Sequence, residues 1–237
     1  KNQAAIFHDN VLMSINLMEA ARQAGVEKFI TISSITAYPK DAKPPFKEKD
    51  FWNGFPEEAN YGYALAKRLL AVQCRAYQEQ YNFKAVHLVL PNLYGPAITA
   101  SPSYFSHAIP IFMEKLLKAK KENEPEIKFN GTGQAVREFF YVEDAAEAIL
   151  RAAEKYDSSE PLNLGRGEIT AIGDLVKLLC RLIGFDGKIR WEKMKKLDDS
   201  KRFLDSSRFQ KLIGFEPKMK FEEGIKRVIG SERKFKV

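Results

Sequence analysis

The chain has only two cysteines, Cys74 and Cys180, each inside an apolar helical pattern and neither with a second cysteine at metal-ligand spacing. That excludes a zinc-type spacing and leaves two buried thiols with no assigned chemistry and no metal site. No run approaches the roughly 18 apolar residues that a membrane span needs, and no charged start leads into an apolar secretory stretch. The expectation is therefore a cytoplasmic chain with no membrane contact. Charge of one sign is not concentrated either. Lys and Arg outnumber Asp and Glu by 38 to 31, but the cations are interleaved with carboxylates along the helical segments. A solvated surface accounts for that pattern, and no nucleic-acid partner is expected. There is no internal repeat and no low-complexity tract.

What is present suits a folded chain of one large or two small domains, with 45% hydrophobic residues over 237 positions. Val11, Ile15, Leu17, Met18 and Ala21 mark one face of a helix from about Asp9 to Ala24, with Gly25 as its C-cap. A strand follows at Lys28-Phe-Ile-Thr-Ile-Ser33-Ser34. The stretch 40–60, rich in Pro, Lys, Asp and Gly, reads as a loop, and a helix carries Tyr63 onward to about Tyr81. Ala85-Val-His-Leu-Val-Leu90 is nearly continuous in apolar character, as in a strand buried on both faces of a parallel sheet. Alternating helices and strands predict an α/β fold, a doubly wound parallel sheet joined by right-handed crossovers. After Gly95-Pro96 the expected elements are a helix near His107 to Lys120, a charged linker, a strand pair around Lys128 and Phe139, and a helix from Glu143 to Ala153. A short strand at Pro161-Leu-Asn-Leu-Gly165 and helices near Ile172 to Ile183, Ser206 to Ile213 and Phe221 to Val228 complete the chain.

The pair Tyr63 and Lys67 carries the clearest chemical signal. Residues four apart share a helix face, so the Lys67 ammonium can stand beside the Tyr63 phenol and favour its ionised form. A free phenol titrates near pKa ~10, and a fixed cation would bring it toward the working range of a proton carrier. Ser34, at the carboxyl end of its strand, can aim a hydroxyl at the same oxygen. Such a set suits hydride transfer at a carbinol or carbonyl carbon, although an aromatic and a lysine at helical spacing also describe one core residue and one solvated one.

The segments Phe29-Ile-Thr-Ile-Ser33-Ser34-Ile-Thr36-Ala-Tyr38-Pro39-Lys40, Tyr63-Ala-Leu-Ala-Lys67 and Pro91-Asn92-Leu93-Tyr94-Gly95-Pro96 decide between these. In order and spacing they resemble the extended short-chain dehydrogenase/reductase family of nucleotide-sugar epimerases, dehydratases and reductases, and within it the GDP-L-fucose synthase branch. The resemblance runs over nearly the whole chain. It implies a Rossmann-like domain built from 1–96 and 136–155, with Val136 to Ala153 returning to the main sheet. It also implies a smaller α/β nucleotide-sugar domain from 97–135 and 156–237. The implied cofactor is NADP or NAD, held by Ser33, Tyr63, Lys67, Pro91, Asn92 and Leu93; the implied partner is a nucleoside-diphosphate sugar, with a homodimer as the usual assembly.

The same resemblance assigns Ser34, Tyr63, Lys67 and His107 to catalysis at C4 of the sugar, His107 in Ser106-His107-Ala-Ile-Pro110 acting as an acid/base for epimerisation. An unperturbed imidazole pKa of ~6.5 suits that work. Substrate contacts fall on Thr36, Asn92, His107, Lys115, Arg137 and Arg202. Arg137 is read as a diphosphate clamp, because an unpaired guanidinium among apolar strand positions is costly and phosphate would satisfy it. Lys115 serves equally as a solvated helix lysine, and Lys201 competes with Arg202. Two positions depart from the branch. Thr36 stands where those synthases carry a cysteine, and Asn130 where several carry a tryptophan.

A dinucleotide-binding fold opens with a strand, a glycine-rich turn and a helix. Asn130-Gly131-Thr132-Gly133-Gln134 is the nearest glycine cluster, and the strand-like Val136-Arg-Glu-Phe-Phe-Tyr141 after it excludes a phosphate loop. Against the family, the first strands, on the order of 70 to 80 residues, are absent, and a longer parent protein is expected. The activity implied is NAD(P)-dependent epimerisation and reduction. An NAD-retaining 4-epimerase, a dehydratase or plain 4-reductase of the same family, and a non-catalytic binding module remain as alternatives.

Overall fold

Alternating helical and extended periodicities produce seven helices and nine strands in the computed structural model, which describes residues 2–96, 108–192 and 200–235. In chain order these are α1 (Gln3–Gln23), β1 (Lys28–Ser34), α2 (Tyr61–Tyr81), β2 (Lys84–Leu90), β3 (Asn92–Tyr94), α3 (Ala108–Lys121), β4 (Glu126–Asn130), β5 (Val136–Tyr141), α4 (Val142–Lys155), β6 (Leu162–Asn163), β7 (Ile169–Ala171), α5 (Ile172–Ile183), β8 (Lys188–Glu192), β9 (Lys201–Arg202), α6 (Ser207–Ile213) and α7 (Phe221–Phe235). The chain divides into two units, Lys1–Asn92 with Asp144–Gly167 and Arg202–Pro217, and Leu93–Glu143 with Glu168–Lys201 and Lys218–Val237. This division differs from the one expected from the sequence at 93–96, 136–143, 156–167 and 202–217.

The first unit is built on the parallel sheet β1-β2-β6. Its register, Lys28↔Lys84 through Ser34↔Leu90, brings the carboxyl ends of β1 and β2 to one edge. Ala85 to Leu90 are all buried, as the apolar run predicts. Helix α1 starts earlier than its apolar pattern suggested and stops at Gly25, whose positive φ of 72° lets the Val26 N–H reach back to Ala21 O. Met18 of α1 packs with Cys74, Phe83 and Ala85. The stretch 40–60 is a loop with short turns, pinned where Tyr38, Phe46 and Phe51 cluster with Leu204. Each such buried aromatic contributes roughly 1.5–3 kcal/mol relative to exposure. Asn163 of β6 secures this anchor. Its Oδ1 accepts from the Tyr38 hydroxyl at 2.8 Å, and its Nδ2 donates to Phe46 O at 2.9 Å and Asp205 O at 3.2 Å.

The second unit holds the sheet β3-β5-β7, with β5 and β7 antiparallel, and a separate parallel pair β4-β8. Leu116 of α3, Leu175 and Leu179 of α5, Ile225 of α7 and Phe129 of β4 share its core. The expected pairing of the strands around Lys128 and Phe139 does not occur. Strand β4 pairs instead with β8, where Ile127 faces Ile189 and Phe129 faces Trp191 across the register. Apolar cross-strand pairs select that distant partner over the nearby one. Likewise β5 joins β3 and β7, and the strand completing the β1-β2 sheet is β6, not the segment beginning at Val136. The turn between β4 and β5 requires glycine at Gly133. Its φ is 76°, and a Cβ there would lie 2.9 Å from the Trp191 ring and 3.2 Å from Gly173 Cα.

Candidate active site

Ser34 ends β1 and caps the short turn Ile35–Ala37. Its Oγ accepts from the Thr36 N–H at 3.3 Å and from the Thr36 hydroxyl at 3.1 Å. Two accepted bonds occupy the oxygen's lone pairs and leave the Ser34 proton for another acceptor. Thr36 is thereby committed to orienting Ser34. Arg202 is drawn to the same turn. Its Nη2 donates to Ile35 O at 3.4 Å, its Nη1 reaches Glu57 Oε1 at 3.3 Å, and its guanidinium lies 5.5 Å from the centre of the Phe46 ring. The structure thus brings Ser34, Thr36 and Arg202 together, and it favours Arg202 over the exposed Lys201 as the ordered cation. Glu57, which fixes Arg202, was missed because an isolated glutamate in a loop carries no sequence signal.

Tyr63 and Lys67 lie in the first turns of α2, half-buried, with the Lys67 Nζ 5.5 Å from the Tyr63 ring centre. Burial acts on both groups in the direction opposite to the one expected from a neighbouring cation. Burial pushes the Tyr63 phenol up and the Lys67 ammonium down, so loss of hydration favours the neutral form of each. Spacing brought the two side chains together as predicted, but the spacing could not report burial, which acts on each group against its charged form. Ser33, next to Ser34, is buried and its Oγ has no hydrogen-bond partner. Pro91 is buried between β2 and β3, and Asn92 opens β3 half-buried.

Two further groups beneath this edge escaped the sequence reading. Arg68 is buried, with Nε on Ala37 O at 2.6 Å and Nη1 on Gly54 O at 2.7 Å, tying α2 to both loops. His87 is buried within β2. An imidazole inside an otherwise apolar run was a signal available in the sequence. Cys74 lies 3.5 Å from the Thr31 hydroxyl, and burial pushes its thiol up to about 11, consistent with a structural thiol. Among the described residues no cluster of His, Cys, Asp or Glu suits a metal ion, and no helix is long and apolar enough to cross a membrane.

The remaining candidates belong to the second unit. Leu93 is exposed in β3. Arg137 of β5 is half-buried, and its Nη1 donates to Val136 O at 2.9 Å and Ser200 O at 2.6 Å. Backbone carbonyls therefore meet part of the burial cost that the sequence argument assigned to phosphate. Lys115 is exposed on α3 with its Nζ 5.6 Å from the Phe129 ring centre. Asn130 ends β4 and is exposed. His107 lies outside the described residues.

The family described as "NAD dependent epimerase/dehydratase family" matches residues 1–165. GDP-L-fucose synthase 1 of Arabidopsis thaliana is 32% identical over 216 residues, covering 91% of this chain and 66% of the relative. The chain spans only 62% to 66% of the length of that and three further plant relatives. Among solved structures, a GDP-L-fucose synthetase from Naegleria fowleri bound to NADP superposes with a TM-score of 0.89 at 26% identity, covering 98% of this chain and 74% of that one. A UDP-glucose 4-epimerase with UDP-glucose from Thermotoga maritima gives 0.86 at 30% identity, covering 100% and 73%. The architecture is an α/β, Rossmann-like fold.

Proposed function

Because this chain belongs to the NAD dependent epimerase/dehydratase family, we propose that it forms part of an NAD(P)-dependent enzyme that reduces, and in the fullest case epimerises, a nucleoside-diphosphate hexose at C4. The relatives named above support a GDP-L-fucose synthase-like activity with NADP, or NAD, as cofactor. The observation that carries the proposal is a serine at the β1 edge whose proton is left free to donate, in the same unit as a half-buried tyrosine whose phenol burial pushes up. Both groups are then donors, which is what an oxygen gaining negative charge requires.

The bound nicotinamide would supply the hydride. Ser34 hydrogen-bonds the sugar oxygen at C4, and Tyr63 gives that oxygen its proton. Lys67 holds the cofactor's ribose hydroxyls and stabilises the phenolate that remains. Ser33, with an unpartnered buried hydroxyl next to Ser34, fits a polar cofactor group, and Pro91, Asn92 and Leu93 would contact the cofactor as well. Arg202 in the first unit is a candidate diphosphate contact, and Arg137 and Lys115 are the second unit's candidate contacts with the nucleotide sugar. His107 moves the proton at the epimerised carbon. In this reading the cofactor part is the first unit, built on β1, β2 and β6, and the second unit contributes to holding the sugar. The enzyme works in the cytoplasm as a homodimer. The α1 face bearing Ile6, Met13 and Leu17, all exposed, supports pairing with a second copy.

One observation favours a simpler reaction within the same family. The Thr36 hydroxyl, standing where the synthases carry a cysteine, is committed to Ser34. A plain 4-reductase or an NAD-retaining 4-epimerase fits that commitment. The deciding experiment follows NADPH absorbance as the full-length protein meets GDP-4-keto-6-deoxymannose, with the product sugar identified by NMR. GDP-L-fucose formed with cofactor oxidation supports the synthase; oxidation with retained configuration supports the reductase. Interconversion of 4-epimers without net oxidation supports the epimerase, and no reaction with nucleotide sugars overturns all three.

A further inference from the structure

A cation held mostly out of water needs a counter-charge close by. The Arg202 side chain is 11% exposed, and its guanidinium lies 5.5 Å from the centre of the buried Phe46 ring. Its Nη2 donates to Ile35 O, in the turn that Ser34 caps, and its Nη1 meets Glu57 Oε1 at 3.3 Å. Glu57 is the carboxylate that faces this guanidinium from the loop. The bond is longer than the roughly 2.7–2.9 Å usual for a charged donor and acceptor, so a better-fitting anion has something to gain there.

The two members of the pair are held unequally. Arg202 lies in the segment that is tied to the loop by the Phe46 N–H on Phe203 O and the Asp205 N–H on Phe46 O, both at 2.9 Å. The Glu57 backbone is also fixed. Pro56 before it is buried, Gly54 O accepts from Arg68, and Glu57 O accepts the N–H of Asn60, the residue that opens α2, at 3.0 Å. The Glu57 side chain, in contrast, is 45% exposed. It can exchange arginine for water by turning its own bonds, with no movement of the loop. Such an exchange costs little, because screening leaves a pair with one half-exposed partner weak. A phosphate group offers the guanidinium two oxygens that match its planar fork.

We propose that Glu57 is a displaceable stand-in for ligand phosphate: its carboxylate neutralises Arg202, competes with a phosphate oxyanion for the guanidinium, and swings into water when that anion binds. The inference rests on the reading of Arg202 as a diphosphate contact and adds a control on that contact. The charge of Glu57 lowers the affinity for phosphate while keeping Arg202 ordered beside the Ser34 turn. A purely positioning role has the opposite sign, since loosening Arg202 would weaken anion binding.

The test titrates the full-length protein with inorganic pyrophosphate by calorimetry at fixed ionic strength. Glu57→Gln keeps an oxygen for Nη1 and removes only the charge, and urea midpoints confirm that the variants are folded. Glu57→Gln should bind pyrophosphate about threefold to tenfold tighter than the parent, the scale of one screened like-charge repulsion across a few ångströms. The gain should vanish when the same change is made on Arg202→Ala. Unchanged or weaker binding by folded Glu57→Gln, a gain that survives loss of Arg202, or no pyrophosphate binding by either protein overturns the proposal. Carbon-13 shifts of the Glu57 carboxylate in the unmodified protein supply a second measurement. They should move toward those of a solvated carboxylate as pyrophosphate is added, in step with the nitrogen-15 shifts of the Arg202 guanidinium. An Arg202 response with Glu57 unmoved refutes the exchange. Neither readout uses a sugar or a nicotinamide, so a protein that shows the exchange and turns over no nucleotide sugar would sink the proposed function and leave this inference standing.

Discussion

Replacing Asn163 by alanine should remove the fastening of the loop that carries Phe46. The side chain is completely buried, yet it makes three bonds, accepting from Tyr38 and donating to Phe46 O and Asp205 O. Each is worth about 0.5–1.5 kcal/mol net, and a buried group left without a partner costs about 1–3 kcal/mol more. The Tyr38 hydroxyl is such a group, since its residue is also fully buried. Two backbone bonds, Phe46 N–H to Phe203 O and Asp205 N–H to Phe46 O, persist and limit the damage. The expected loss for Asn163→Ala is about 3–5 kcal/mol, against about 1–2 kcal/mol for Tyr38→Phe, which deletes one bond. Urea unfolding followed by the fluorescence of Trp52, whose ring meets Phe51 edge-on at 5.0 Å, reports on this part of the fold. A loss below about 1 kcal/mol for Asn163→Ala, or equal losses for the two variants, would refute the idea that the amide organises the loop.

Tyr63→Phe should keep its fold by circular dichroism and lose roughly 10²- to 10⁴-fold in kcat, the usual worth of a positioned proton donor. Arg202→Ala should raise KM for the nucleotide sugar about tenfold to hundredfold, as for one or two lost charge-assisted bonds to phosphate, with a smaller change in kcat. His87 titrates at 6.5 in a free chain and at about 3 in the fold, so only the unfolded state takes up its proton between those values. Stability should therefore fall on acidification through that window, by at most about 1.4 kcal/mol per pH unit, and His87→Gln should flatten the slope in urea titrations. Burial raises the Glu48 carboxyl above its ordinary 4.5. Stability from its protonated form is present below that value and lost as pH rises through the folded pKa. Glu48→Gln, which can still accept the Asn163 N–H, should thus raise the urea midpoint at neutral pH.

The elements legible in the sequence were those set by local pattern. The apolar run of β2, the helix from Tyr61 to Tyr81 and the helix Ile172–Ile183 appear where periodicity put them, and Gly25 ends α1. What the sequence did not disclose depends on tertiary partners. The β4-β8 pairing rests on Ile189 and Trp191, far along the chain from Ile127 and Phe129. The bonds between Thr36 and Ser34 depend on a turn geometry that no spacing encodes. Burial pushes the Tyr63 phenol up and the Lys67 ammonium down, against the cation effect the spacing suggested, because burial depends on everything packed around α2. Helix spacing can bring two groups together without reporting the dielectric they share.

The crossing at Gly133 and Gly173 constrains how this sequence can drift. Gly133 is closed to substitution twice over, by its left-handed φ and by the Trp191 ring, and a Cβ on Gly173 would press to 3.2 Å from the Gly133 carbonyl. The tolerance of each site therefore depends on the other and on the indole. Shrinking Trp191 relieves only the steric half of the constraint at Gly133, and no single neighbour compensates for the backbone half. The three positions form an epistatic block through which one-step mutational paths should pass rarely, while the solvated helix faces around it diverge freely.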